Sequence, residues 1–245
     1  MDETVVRREL MKSGFIKGPI PSDQNKGLPQ PPFEKPHNEE LALVDLPEVD
    51  PGIITKTGIF DCMTDRRSRR KFTGAPLSLA ELSFLLWATQ GVREVIPGRT
   101  FRTVPSAGSR HPYETYLVIR NVDGLAPGLY RYLALSHKLE AINVRTDLTD
   151  EVVRLSGNVK WMCQAAAFFI WAANAYRCEW RYHREAARVM LIDAGHICQN
   201  MYLAAEAIGC GTCGIGAYNQ EGMDSLLGLD GTDEYIVYFA PVGKI

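Results

Sequence analysis

Thr103-Val-Pro-Ser-Ala-Gly-Ser-Arg-His-Pro-Tyr-Glu-Thr115 runs directly into Tyr116-Leu-Val-Ile-Arg120. Five of the six residues from Pro105 to Arg110 are small or proline, so this backbone can lie flat against a neighbour. Ser106 and Ser109 add hydroxyls, and free backbone N–H groups are expected in such a loop. The β-branched and aromatic run that follows reads as a strand. A bare polar loop feeding a buried strand can present backbone donors to a planar, polar-edged ligand. An ordinary turn before a strand is the plainer alternative, and the loop alone favours it.

Outward from this loop the chain alternates strand and helix signals. Asn121-Val-Asp-Gly124 reads as a turn, and residues 128–133 and 137–142 as strands, so an antiparallel meander is the simplest topology. Residues 165–173 are apolar throughout, which suits a strand buried on both faces. A last strand is expected at 234–239, after a short helix near 224–227. Residues 92–102, with Gly98 and several arginines, read as a loop.

Short helices are expected around 58–63 and 150–157. Ser78 followed by Glu81 is a capping box that opens a helix ending near Gly91, with Trp87 read as core. The longest helical pattern runs from about 183 to 208. Met190, Ala194, Ile197, Met201, Ala205 and Ile208 recur there at spacings of three and four, and Gly209 stops it. Its alanines and Gly195 permit close approach of a second helix, so it reads as a core or dimer-interface helix. His196 lies off the stripe and reads as a surface or packing residue.

The balance of 27 basic and 29 acidic residues gives no nucleic-acid footprint. No apolar run approaches the roughly 20 residues that span a bilayer, and the charged start is not a signal peptide; a cytoplasmic location is the expectation. The six cysteines are expected as buried free thiols. Cys210-Gly-Thr-Cys213 lacks the second pair that a zinc site needs, so no metal is expected. Residues 1–52 hold eight of the fourteen prolines and show no sustained period. They are expected to form an N-terminal arm, wrapped over a surface or a second subunit or else mobile, beside a domain at 53–245.

Two more stretches bear on chemistry. Arg66-Arg-Ser-Arg-Arg-Lys71 packs five cations and a serine into six residues. It is either a solvated face or a phosphate clamp, in which arginine forks and a hydroxyl fill the phosphate oxygens. Gly209-Cys-Gly-Thr-Cys-Gly214 matches the dinucleotide fingerprint by letter, but it follows a helix and no βαβ unit surrounds it. It reads instead as the start of a second bare backbone segment, 213–218. Lys244 is a further candidate phosphate contact.

These motifs, in this order, resemble the nitroreductase family of FMN flavoproteins, most closely its SagB-type, azoline dehydrogenase-like branch. The likeness rests on residues 66–72, 105–114, 128–132, 193–206, 214–216 and 241–244. It implies an α+β fold with a mainly antiparallel central sheet flanked by helices, in an intertwined homodimer with FMN at the interface. Arg66, Arg67, Ser68 and Arg70, with Lys244, would then hold phosphate and ribityl oxygens. Pro105, Ser106, Ala107, Gly108 and Ser109 would reach the flavin from the other subunit. Gly214, Ile215 and Gly216 would offer backbone near its reactive edge.

The implied activity is ping-pong hydride transfer from NAD(P)H, through the flavin, to a small nitroaromatic or quinone acceptor. Alternatives are azoline oxidation in a modified peptide, flavin fragmentation by oxygen, and a non-catalytic FMN-binding protein. Where azoline-oxidising members carry a Lys-Tyr pair, this chain has Arg181-Tyr182. Tyr182 is the candidate proton relay, since arginine is not deprotonated. His111 departs from the pattern, and its partner is left open.

Overall fold

Ala167-Phe-Phe-Ile-Trp-Ala-Ala-Asn174 has no polar face, and a strand of that kind needs cover on both sides. The computed structural model describes residue 5, residue 10 and residues 21–245. In chain order the elements are β1 (Leu43–Asp45), α1 (Ile59–Asp65), α2 (Leu79–Gln90), β2 (Val92–Ile96), β3 (Arg99–Arg102), β4 (Tyr113–Ile119), β5 (Gly128–Leu133) and β6 (Lys138–Asn143). They continue with α3 (Leu148–Leu155), β7 (Ala167–Asn174), α4 (Ala175–Tyr182), α5 (Ala186–Ala207), β8 (Cys210–Thr212), α6 (Gln220–Leu227) and β9 (Glu234–Lys244). The main sheet has the order β1-β6-β5-β4-β7-β9-β8, and each of its strand pairings is antiparallel. The expected meander is β4-β5-β6, and β7 lies at its flank between β4 and β9.

Alternation along β7 sorts the core into two layers. Phe169 and Trp171 face the side where Leu82 and Leu85 of α2 and Met201 of α5 pack. Phe168 and Ile170 face Val152 of α3 and Met223 of α6. The sheet is therefore the middle of three layers. No helix among the described residues is long and apolar enough to cross a membrane.

The capping box forms as expected: Ser78 Oγ accepts from the Glu81 N–H at 3.2 Å, and the Glu81 carboxylate accepts from the Ser78 N–H at 2.9 Å. All six residues of the α5 stripe are buried, and Gly209 takes the left-handed conformation after the helix, with φ 67°. α5 starts three residues later than expected. His183 has φ 47°, which breaks the chain there and leaves 175–182 as a separate helix.

Three expectations change. Residues 92–102 form a hairpin around Pro97-Gly98, where Gly98 supplies φ 76° for the turn, and are not a loop. Trp87 is not core: it is 36% exposed, on the outer side of α2. Cys210–Thr212 pairs with β9, so the first half of the glycine-rich run is strand and only its second half is loop.

Most of the first twenty residues of the expected arm lie outside the described set. Residues 21–45 lie on the body, and β1 extends the sheet at β6. The carbonyl of Phe33 accepts from buried Arg102 at 3.0 Å, and that of Pro36 from buried Arg131 at 2.9 Å. The Lys35 N–H donates to Glu114 at 2.7 Å. Hydrogen bonds to charged groups contribute about 1.5–3 kcal/mol each. Deleting residues 1–40 is therefore expected to lower stability by roughly 3 kcal/mol or more, read as a lower urea midpoint; an unchanged midpoint would show the strap to be dispensable.

Candidate active site

α1 stops at Arg66, whose N–H still bonds the Cys62 carbonyl, and the next residues run extended beside β8. The Arg69 N–H donates to the Thr212 carbonyl at 2.9 Å, and Ser68 bridges to Thr212. Arg69 turns inward to Glu206 at 3.3 Å, where Lys56 also binds at 2.8 Å. Arg67, Arg70 and Lys71 stay exposed and form no ion pair among the described residues. With Ser68 and Thr73 they border a cavity of about 580 Å³. Cations left unpaired beside a hydroxyl and a cavity suit an oxyanion such as a phosphate.

Tyr202 of α5 joins this end to the late glycine segment. Its hydroxyl accepts from the Gly214 N–H at 2.8 Å and hydrogen-bonds Ser68 Oγ at 3.0 Å. The Arg66 guanidinium lies 5.3 Å from its ring centroid. A Cβ at Gly214 would collide with the Tyr238 hydroxyl, so glycine is required. Ile215 pairs in both directions with Phe239, at 2.7 and 3.2 Å, and Gly216 is exposed beyond it. Tyr202 thus links Arg66, Ser68 and Gly214, and Ser68 shares the cavity with Arg67 and Arg70. Lys244 lies next to them, with its carbonyl on the Thr73 N–H at 2.9 Å, but its ammonium is bound to the Glu81 carboxylate. Burial pushes the thiols of Cys198 and Cys210 up to about 12, and no metal-holding cluster occurs among the described residues.

The opening loop makes the second group. Ser106 Oγ donates to Asp193 Oδ2 at 2.6 Å and accepts from the His111 N–H at 2.9 Å. The N–H of Ala107 reaches Asp193 Oδ1 at 3.3 Å, and that of Ser109 reaches the Ser106 carbonyl at 3.0 Å. Several of the backbone donors expected to be free are therefore used within the chain, and Pro105 stays exposed. Gly108 has φ 57°, and a Cβ there would meet the Tyr182 hydroxyl at 2.6 Å and Arg181 Nε at 2.7 Å. Tyr182 and Arg181 therefore pack on the loop itself. Burial raises the Asp193 carboxyl above its ordinary value, opposed by the bonds from Ser106 and Ala107.

His111 is a packing residue. It is buried, and its Nε2 lies 3.1 Å from the Thr100 carbonyl. Burial, then the Arg102 guanidinium, push its pKa down to about 3, so it is neutral near pH 7.

The two groups sit on one helix but not on one side of it. Asp193 and Tyr202 are nine residues apart, two and a half turns at 3.6 residues per turn. That puts them about 13 Å apart along the axis and on opposite faces. In the sequence Asp193 stands out only as an acid within the largely apolar helical stretch, and Tyr202 carries no pattern that marks it.

The nitroreductase family model matches residues 63–244. The chain belongs to the nitroreductase family. It is 32% identical to a Methanocaldococcus jannaschii protein that carries the nitroreductase name, over 84% of this chain and 96% of that one. It is 31% identical to the trifolitoxin-processing protein TfxB of Rhizobium leguminosarum bv. trifolii, over 53% of this chain and 36% of that one. A crystal structure from Ralstonia eutropha, also bearing the nitroreductase name, superposes with a TM-score of 0.69 at 26% identity, over 89% of this chain and 98% of that one. The family assigns the chain as an oxidoreductase, and its fold is the expected one: an antiparallel sheet flanked by helices.

The His111 environment yields a pH prediction for this nitroreductase-family chain. The folded pKa of about 3 lies below the ordinary 6.5, so between those values the unfolded chain binds a proton that the native one does not. This contribution to stability is complete above 6.5 and is lost as pH falls toward 3. Urea midpoints between pH 7 and pH 4 should fall with a component that His111→Gln removes; an identical slope in the variant would exclude it.

Proposed function

We propose that the chain is an FMN-dependent oxidoreductase that accepts hydride from NAD(P)H and passes electrons to a small organic acceptor of nitroaromatic or quinone type. The observation that carries this reading is the set Arg67, Arg70 and Lys71, without ion pairs among the described residues, around the cavity that Ser68 also borders. That donor set fits the phosphate of a flavin mononucleotide, with Arg66, Arg67, Ser68 and Arg70 as its holders. When bound, FMN supplies the hydride and electron chemistry, and the protein supplies position and electrostatics. Lys244 is tied to Glu81, so in this reading its charge is compensated and it is not a direct ligand.

The working unit in this reading is a homodimer. The loop at 105–109 and the basic end lie on opposite faces of α5, so a second copy supplies the loop to each flavin. Two uncovered apolar surfaces support this. Leu191 and Ile192 are 52% and 49% exposed beside Gly195, whose absent Cβ would meet nothing within 4 Å, and Phe60 of α1 is 77% exposed. Tyr182, packed on Gly108, is the group placed to move a proton to or from the acceptor.

A second reading, oxidation of an azoline in a modified peptide, is favoured by the similarity to TfxB. Arg181 counts against it, because a guanidinium does not act as a proton acceptor near neutral pH. Failure to oxidise a thiazoline peptide under conditions that support nitroaromatic reduction would remove it.

The purified protein should be yellow and release FMN on heating. Arg67→Ala and Arg70→Ala should each weaken FMN binding about tenfold, the scale of one charge-assisted hydrogen bond. Phe60→Asp should yield a monomer in sedimentation and lose flavin with it. A colourless protein that ignores added FMN would overturn the reading, and a monomer that retains flavin would overturn the shared site.

A further inference from the structure

We propose that Arg181, backed by Arg110, is a specificity-determining residue that binds an oxyanion of the molecule exchanging electrons at the site. This rests on the proposed function and narrows its substrate class. Two guanidinium groups meet at one residue, Gly108. Arg110 Nε donates to the Gly108 carbonyl at 3.1 Å, while Arg181 Nε packs against the side where a Cβ would stand. The remaining partners are neutral. Arg110 Nη2 donates to the Gly98 carbonyl at 3.0 Å, its guanidinium lies 5.2 Å from the Trp180 ring centroid, and Arg181 Nη1 donates to Gln24 Oε1 at 3.2 Å.

Neither guanidinium forms an ion pair among the described residues. The acids nearby are committed elsewhere: Asp193 to Ser106 and Ala107, and Glu185 at 3.6 Å to Arg184. Two like charges held together without a counter-charge are costly in a half-buried setting, and an arriving anion removes that cost. Arg110 is buried and fixed by backbone carbonyls, so it supplies field and support. Arg181 is half-buried, and its Nη2 makes no hydrogen bond among the described residues. That leaves Nη2 as the donor assigned here to the ligand's oxyanion.

The oxyanion has two possible sources: a carboxylate on the acceptor, or a phosphate on the nicotinamide donor. Matched pairs separate them. FMN-loaded wild type, R181Q and R181K would be titrated with para-nitrobenzoate and with neutral para-nitrobenzamide. Binding is read without turnover, from the shift of the flavin spectrum. Flavin reduction would be followed in parallel with NAD(P)H and with neutral N-benzyl dihydronicotinamide. R181Q should lower the charged-to-neutral preference in one pair about tenfold, and R181K should recover part of it. Loss in the acceptor pair assigns the carboxylate, and loss in the donor pair the phosphate. An unchanged preference in both pairs, or equal loss for charged and neutral members, overturns the proposal while leaving the flavin reading intact. A chain that takes up no FMN overturns both.

Discussion

α5 is one continuous helix, and two hydrogen-bonding side chains on it hold the two loop segments of the proposed site. Asp193 spends both carboxylate oxygens on the loop at 106–107, and Tyr202 gathers Ser68 and Gly214 at the other end. Because 3.6 residues make a turn, their spacing of nine places these groups on opposite faces. No loop rearrangement of modest size brings them together. A site that needs both must draw one from each of two copies, and the exposed Leu191, Ile192 and Gly195 lie on the same rod. Dimerisation in this reading follows from helix geometry before any contact area is considered.

In the proposed reading, charge compensation separates structural cations from cofactor-binding ones more sharply than position in sequence does. Arg69 sits within the basic run, yet Glu206 takes its charge and it serves to anchor the run to α5. Lys244 is likewise paired, with Glu81, whose other oxygen closes the capping box of α2. Arg67, Arg70 and Lys71 form no ion pair among the described residues and line the cavity. The same distinction marks Arg110 and Arg181 at the loop, where the described residues that bond or stack on them do so through carbonyl, amide and aromatic groups. Buried Arg177 and Arg131 are paired with Glu114 and Glu140, whereas Arg110 and Arg181 meet no acid within ion-pair distance among the described residues.

Much of the architecture was legible because its signals are local. The all-apolar run of β7, the α5 stripe and the Ser78–Glu81 box each follow from a period or a cap within a few residues. The hairpin at 92–102 is hard to read because adjacent Arg93 and Glu94 break any apolar alternation in its first strand, and only the Pro97-Gly98 turn marks it. The site was legible in part. Glycine and serine content exposed the loop, but which of its N–H groups were already bonded depended on Asp193, more than eighty residues away. Tyr202 and the break at His183 are tertiary outcomes, with no pattern of their own in the sequence.

The proline-rich arm completes the account of the loop. The Gln24 N–H donates to the Trp180 carbonyl at 2.8 Å, and the Trp180 indole donates to the Leu28 carbonyl at 3.0 Å. α4 is therefore held between the arm on one side and Gly108 on the other. Prolines restrict the unfolded chain, so a segment rich in them can stay ordered on few contacts. That reconciles a composition that looks separate from the domain with a path that runs over it. It also makes α4 an element that joins the arm to the loop, so a displacement of residues 24–28 bears on the helix that carries Arg181 and Tyr182.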